Sequence, residues 1–236
     1  MNGFRGSPSL STRARSHSLS DESRDALLLS LDTASAADTP FRHWNARDVF
    51  PADLARTLNS LPIATAGTHD VSGKRELHNE SRQYFDAANL ARFDACRAVA
   101  EAFQSAEVVR LIEARTGADL GGTYVRLEYA QDVDGFWLEP HTDLGVKRFT
   151  MLIYLNGAEH DQSGLGTDLF SDGKTWVRQT PFEDNSALIF VPGDTTWHGL
   201  RKRPIAGIRR SVIMNYVTDA WRAREQLAFP HTPVQA

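Results

Sequence analysis

The stretch Thr167-Asp168-Leu169-Phe170-Ser171-Asp172-Gly173-Lys174-Thr175-Trp176-Val177-Arg178 reads as a β-hairpin, two β-prone runs separated by an Asp-Gly turn dipeptide. Working outward, the same pattern repeats on both sides. Thr123 to Tyr129, Phe136 to Thr142 and Arg148 to Tyr154 precede the hairpin runs Thr167 to Phe170 and Thr175 to Arg178. Ala187 to Val191, His198 to Arg201 and Ile208 to Val217 follow them, and Asn156-Gly157 and Pro192-Gly193 punctuate the series. Many short strands joined by turn dipeptides predict a sandwich or small barrel, completed by helices on one outer face.

Those helices belong to the N-terminal part. Leu54, Leu58 and Leu61 stand at helical spacing in Pro51 to Leu61, and Pro62 ends the run. Ala66 to Arg82 is Gly-rich and polar, an expected irregular loop. Phe85 to Thr116 carries two helical stretches, with Leu90, Phe93, Val99 and Phe103 on one buried stripe, Val108 to Ile112 opening the second, and Gly117 as the stop. Residues 1–39 are rich in Ser, Arg, Asp and Ala, with a single apolar patch at Leu27 to Leu31, and are read as a disordered tail. The organisation expected is one domain over residues 40–236, with a helical layer at 40–118 and the β region at 119–220.

The chain has 236 residues and a formal charge of -4 with both signs interspersed. That leaves no electrostatic footprint for nucleic acid or an anionic membrane. Cys96, the single cysteine, cannot form an intramolecular disulfide, no apolar run approaches the roughly 20 residues of a membrane span, and the N-terminal arginines lead into no apolar segment. The localisation expected is cytoplasmic.

Chemistry concentrates in Glu139-Pro140-His141-Thr142-Asp143. Residues two apart on a strand project to one face, so His141 and Asp143 can aim an imidazole nitrogen and a carboxylate oxygen at one point. Alone, such a pair is as well explained by a carboxylate orienting an imidazole. A third ligand from a distant strand would complete a set that leaves open positions on an octahedral ion, and His198 is placed for it. His160 competes from the turn-rich segment 157–166, whereas His17, His43, His69, His78 and His231 are read as surface histidines. In the last run, alternation sends Arg209, Ser211 and Asn215 to one face and Arg210, Val212, Met214 and Tyr216 to the other. Arg209 with Ser211 could then grip a carboxylate, unless both arginines sit at a solvated strand end.

From about Gly121 to Thr218 the sequence resembles the Fe(II)/2-oxoglutarate-dependent dioxygenases, in their prolyl 4-hydroxylase-like branch. The likeness rests on Tyr129, the block Glu139 to Asp143, the strand Met151 to Asn156, the segment Gly164 to Asp172, Trp197-His198, and Gly207 to Val212. It implies a mainly β fold with α, a double-stranded β-helix (a jelly-roll, cupin-like barrel) buttressed by N-terminal helices. It further implies Fe(II) on His141, Asp143 and His198, with 2-oxoglutarate held by Arg209, Tyr154 and Ser211 and, more distantly, Tyr129. Oxygen would be the oxidant, ascorbate a candidate reductant, and succinate and carbon dioxide the co-products. The substrate expected is a small molecule or a peptide side chain, with Trp137 and Arg82 as candidate contacts beside Asn79, Glu80 and Ser81. Two other classes stay open: a non-catalytic or sensor barrel, and a cupin-like metal hydrolase or isomerase. A nucleic-acid demethylase fits less well, since position 215, where that type resembles a second arginine, is Asn.

Overall fold

The backbone hydrogen bonds of the β region organise into two antiparallel sheets in this computed structural model, which describes residues 18–65, 73, 82–157 and 161–235. The strands are β1 (Ser35–Ala37), β2 (His43–Ala46), β3 (Gln83–Tyr84), β4 (Tyr124–Asp132), β5 (Leu138–His141), β6 (Lys147–Leu155), β7 (Asp168–Phe170), β8 (Trp176–Gln179), β9 (Ser186–Phe190), β10 (His198–Leu200) and β11 (Arg209–Val217). The larger sheet runs β1-β2-β9-β6-β11-β4-β3 and the smaller β5-β10-β7-β8. Each of the runs expected from the sequence holds a strand. The hairpin β7–β8 closes with Asp172 Oδ1 accepting from the backbone N–H groups of Lys174 and Thr175, both at 2.8 Å.

Sequence reading missed β1, β2 and β3. These strands are short and lack alternation; β2 pairs with distant β9 and β3 with distant β4, and β1 is an edge strand on β2. Nothing local announces such pairings.

The helices are α1 (Leu19–Thr33), α2 (Ala52–Asn59), α3 (Ala87–Arg92), α4 (Asp94–Gln104) and α5 (Ala106–Thr116). The two stretches expected in 85–116 are three helices, because Phe93 adopts an extended conformation (φ -126°, ψ 114°) and separates α3 from α4. Gly117 stops α5 as expected, with φ 75° in the left-handed region that glycine enters without strain. The reading of residues 1–39 as a tail is corrected from residue 18 onward. Ser18 and Asp21 form a reciprocal capping box that starts α1. Leu27 and Leu31, four apart on one face, are buried where α1 packs on α4 and α5. Residues 1–17 lie outside the described residues.

Alternation divides the larger sheet cleanly. Val125, Leu127, Met151, Ile153, Val212 and Met214 pack toward the helices. From the opposite face, Tyr154, Leu188 and Phe190 meet Leu169 and Leu200 of the smaller sheet. The molecule is thus layered as helices, larger sheet, smaller sheet, with a core in each gap. His43, read from the sequence as a surface residue, is buried against Phe41, whose ring also meets Phe190, and its Nδ1 donates to the Phe41 carbonyl at 2.8 Å. Burial keeps its pKa below the usual imidazole value. His231 is exposed as expected. Among the described residues no helix is long and apolar enough to cross a membrane.

Removing a buried leucine leaves a cavity, so Leu27→Ala should lower unfolding free energy by about 2–5 kcal/mol. Urea denaturation measures this, and a helix that did not belong to the core would show no change.

Candidate metal centre

The site begins with a backbone pairing. β5 and β10 are antiparallel neighbours, and His141 lies directly opposite His198 in their register. Their rings stand 4.4 Å apart between centroids. Asp143 follows two residues after the end of β5, and one donor atom from each of His141, Asp143 and His198 lies within 4.8 Å of the others. Gly199 permits the close approach. A Cβ there would sit 2.7 Å from the Leu138 carbonyl oxygen and 3.0 Å from that of Glu139, so any larger residue would push β5 away from β10.

Each imidazole is oriented by its own strand. His141 Nδ1 lies 2.9 Å from the Glu139 carbonyl oxygen, and His198 Nδ1 lies 2.9 Å from that of Thr196. A carbonyl only accepts, so both rings carry hydrogen on Nδ1 and present the Nε2 lone pair. Burial, with His141 close by, pushes the His198 pKa down to about 4, only partly offset by Asp143. The ring is neutral at physiological pH, as a ligand must be.

The Asp143 side chain is 5% exposed, and both its oxygens accept hydrogen bonds. Oδ1 takes Lys147 Nζ at 2.5 Å and Oδ2 takes the Thr150 hydroxyl at 2.6 Å. Burial alone would raise its pKa. The charge of Lys147, that of His198 once acid protonates it, and the hydrogen bonds from Lys147 and Thr150 outweigh that effect and hold the carboxyl well below its usual range. Two imidazole nitrogens, that of His198 neutral, and one ionised carboxylate converge with open space alongside, a donor set that fits Fe(II) or another divalent transition metal.

The open space is a pocket of about 590 Å³ including its mouth. Apolar walls come from Phe136, Leu138, Leu152 and Ile213, and Arg209, Ser211 and Thr167 form its polar flank. Arg209 points inward and Arg210 lies on the opposite face of β11, as alternation requires. The Arg209 guanidinium is held by Nε donating to the Leu165 carbonyl at 2.7 Å and Nη1 to Asp132 Oδ2 at 2.7 Å. Arg82 also reaches the pocket, forked onto Glu128 with Nε–Oε1 at 3.1 Å and Nη2–Oε2 at 2.9 Å.

Three sequence-derived site residues are placed differently. Tyr129 lies on the helix-facing side, its phenol donating to the Leu58 carbonyl at 2.7 Å, so it does not line the pocket. Its partner across β11 is Val212, which shares that side. Tyr154 is on the pocket side of the sheet, but its hydroxyl is shared between Thr167 Oγ1 (2.7 Å) and Thr180 Oγ1 (2.9 Å), and it meets the pocket lining through Thr167 and through its ring, 5.8 Å from the Arg209 guanidinium carbon. Trp137 alternates away from Phe136 and Leu138 and lies against Gly73, where an added Cβ would meet the indole at 2.4 Å. His17, His69, His78, Asn79, Glu80, Ser81 and His160 lie outside the described residues.

Sequence reading overlooked Lys147, Thr150, Thr167 and Glu128. Thr150 carried a usable signal, since it shares strand parity with Leu152 and Tyr154. Lys147 and Glu128 looked like ordinary surface charges until the sheets placed them.

No protein-family model and no curated protein matches the sequence. Among solved structures, prolyl hydroxylases are similar to this chain in fold. A Pseudomonas putida prolyl-4-hydroxylase superposes with a TM-score of 0.55 at 18% identity, covering 84% of this chain and 95% of that one. A Phytophthora capsici prolyl 4-hydroxylase gives 0.58 at 16% identity over 89% and 69% of the respective chains. The Trichoplax adhaerens prolyl hydroxylase, in complex with a hypoxia inducible factor oxygen degradation domain peptide, gives 0.52 at 16% over 85% and 91%.

The depressed His198 pKa has a measurable consequence. Below about pH 6.5 the unfolded chain protonates this residue while the folded protein does not. Stability of the metal-free protein should therefore fall as pH drops from about 6.5 toward 4, by up to about 1.4 kcal/mol per pH unit from this group. Urea denaturation at several pH values checks it, and His198→Gln should flatten the slope.

Proposed function

We propose that the protein is an Fe(II)- and 2-oxoglutarate-dependent dioxygenase on a double-stranded β-helix, hydroxylating a small molecule or a peptide side chain. The observation that carries this reading is the convergence of His141, Asp143 and His198 at a pocket that also contains an inward arginine. A cupin-like hydrolase or a sensor barrel would account for the metal ligands without calling for an arginine at the pocket. The fold shared with prolyl hydroxylases supports the same reading, and the peptide held by one of them fits a peptide side chain as substrate.

Fe(II) held by His141, Asp143 and His198 would supply the oxidising chemistry, coupling conversion of 2-oxoglutarate and oxygen to succinate and carbon dioxide with oxidation of a substrate C–H bond. The chain's own groups do the rest. His141 Nε2, His198 Nε2 and a carboxylate oxygen of Asp143 would hold the ion beside the pocket that would take co-substrate. Arg209 receives the distal carboxylate of 2-oxoglutarate, its orientation already fixed by Leu165 and Asp132, so little side-chain entropy is lost on binding. Ser211 adds a hydroxyl on the same flank. Phe136, Leu138, Leu152 and Ile213 keep water from the reacting centre. Arg82, locked to Glu128, faces the substrate.

The direct test is an oxygen-free titration of Fe(II)-loaded protein with 2-oxoglutarate, following the weak visible absorption of the complex, and then admission of air with a succinate assay. Absorption followed by succinate supports the reading; tight metal binding with neither overturns it. His141→Ala and Asp143→Ala should abolish metal-dependent succinate formation with the circular dichroism spectrum retained. Arg209→Lys keeps a cation for Asp132 but loses the planar fork, and should raise the 2-oxoglutarate requirement about tenfold or more while leaving Fe(II) affinity nearly unchanged. An unchanged requirement would point to a different co-substrate.

A further inference from the structure

Behind Asp143 a line of buried side chains crosses three strands of the larger sheet. Thr150 on β6 and Arg126 on β4 both lie directly opposite Asn215 on β11. Arg126 Nη1 donates to Asn215 Oδ1 at 3.0 Å, Asn215 Nδ2 donates to Thr150 Oγ1 at 3.0 Å, and Thr150 Oγ1 donates to Asp143 Oδ2 at 2.6 Å. Arg126, Thr150 and Asn215 are all essentially inaccessible to solvent.

The line has a single possible direction. Arginine only donates, so the Asn215 carbonyl must face it and the Asn215 amide nitrogen must face Thr150. With one lone-pair position taken by that amide, the Thr150 hydroxyl hydrogen is directed to Asp143. Arg126 cannot readily turn away. Its Nη2 is bonded to Glu128 Oε2 at 3.0 Å and Tyr84 Oη at 3.3 Å, its Nε to Gln226 Oε1 at 3.3 Å, and the rings of Tyr84 and Trp221 lie within 4.9 Å and 4.8 Å of the guanidinium carbon. A fixed buried cation at one end polarises each bond along the line.

Resting on the metal-site reading above, we propose that Arg126, Asn215 and Thr150 form a positioning relay that fixes the Asp143 carboxylate from its Oδ2 side, while Lys147 holds Oδ1, so that the carboxylate keeps its bearing toward the metal beside His141 and His198. Thr150 is a positioning residue, acting through Asp143 without touching the ion. Asn215, the residue that sets this chain apart from an arginine-bearing pattern at the same place, is the turning point of the relay because its amide accepts from Arg126 at one end and donates to Thr150 at the other.

The test is Mn(II) affinity, read from the free-ion electron paramagnetic resonance signal, in the full chain and its variants. Thr150→Val keeps the shape and deletes the hydroxyl, and should weaken Mn(II) binding about 10- to 100-fold. Thr150→Ser keeps the hydroxyl and loses the methyl, and should bind within about threefold of the parent. A role in packing alone predicts the reverse ranking, with serine the worse variant, and that result overturns the relay. Asn215→Leu should weaken binding as well, and combining it with Thr150→Val should add little, since both break one line; fully additive losses would overturn it too. If the parent chain binds no Mn(II), the metal-site reading itself fails. Tight binding by the parent and equally tight binding by a folded Thr150→Val variant refutes the relay alone.

Discussion

The pairing of β5 with β10 is the constraint on which the site depends. It sets His141 opposite His198, and it exists because residue 199 has no side chain to hold the two backbones apart. β5 is an edge strand with one sheet neighbour, yet it is also held from outside, where the Glu139 N–H donates to the Gly73 carbonyl at 2.9 Å. A strand of four residues bonded on both edges is a firmer mount than its length suggests.

A second theme is the treatment of buried charge. Arg126, Glu128, Asp132, Asp168 and Arg209 are nearly inaccessible, and each is paired. Such pairs contribute little net stability, because desolvation consumes most of their attraction, but removing one partner leaves an expensive orphan. What they give here is direction. Arg209 and Arg126 are each fixed in orientation, one at the pocket and one behind the carboxylate. Asp168 gathers the Trp176 indole N–H, the Arg201 backbone N–H and the Arg203 guanidinium, and so ties the end of β10 to the β7–β8 hairpin.

Much of this was legible in the sequence where the signal is local. The hairpin, the long strands and the Gly117 stop follow from composition and turn chemistry, and the parity of Arg209, Ser211 and Asn215 follows from strand geometry. The failures share a cause. β2 and β3 are defined by partners far along the chain and β1 rests on β2, and α1 was hidden because a capping box and two leucines look unremarkable without the α4–α5 surface that covers them. Tyr129 was misassigned because a likeness of residues does not fix which face of a strand a side chain takes; its pairing with Val212 does. Lys147 and Thr150 were overlooked because their meaning lies in a carboxylate that folding brings to them.

The two kinds of ligand in this site are secured by different materials. Both histidines take their tautomer from a carbonyl two residues earlier in the same chain segment, a partner that belongs to the backbone and survives substitution at residues 139 and 196. The carboxylate takes its orientation from side chains on other strands, which a single codon change can remove. Sequence drift can therefore leave the imidazoles correctly presented while the third ligand loses its bearing. A descendant losing activity this way would keep its His-x-Asp and distal histidine intact, and its decay would be visible only in the strands behind them.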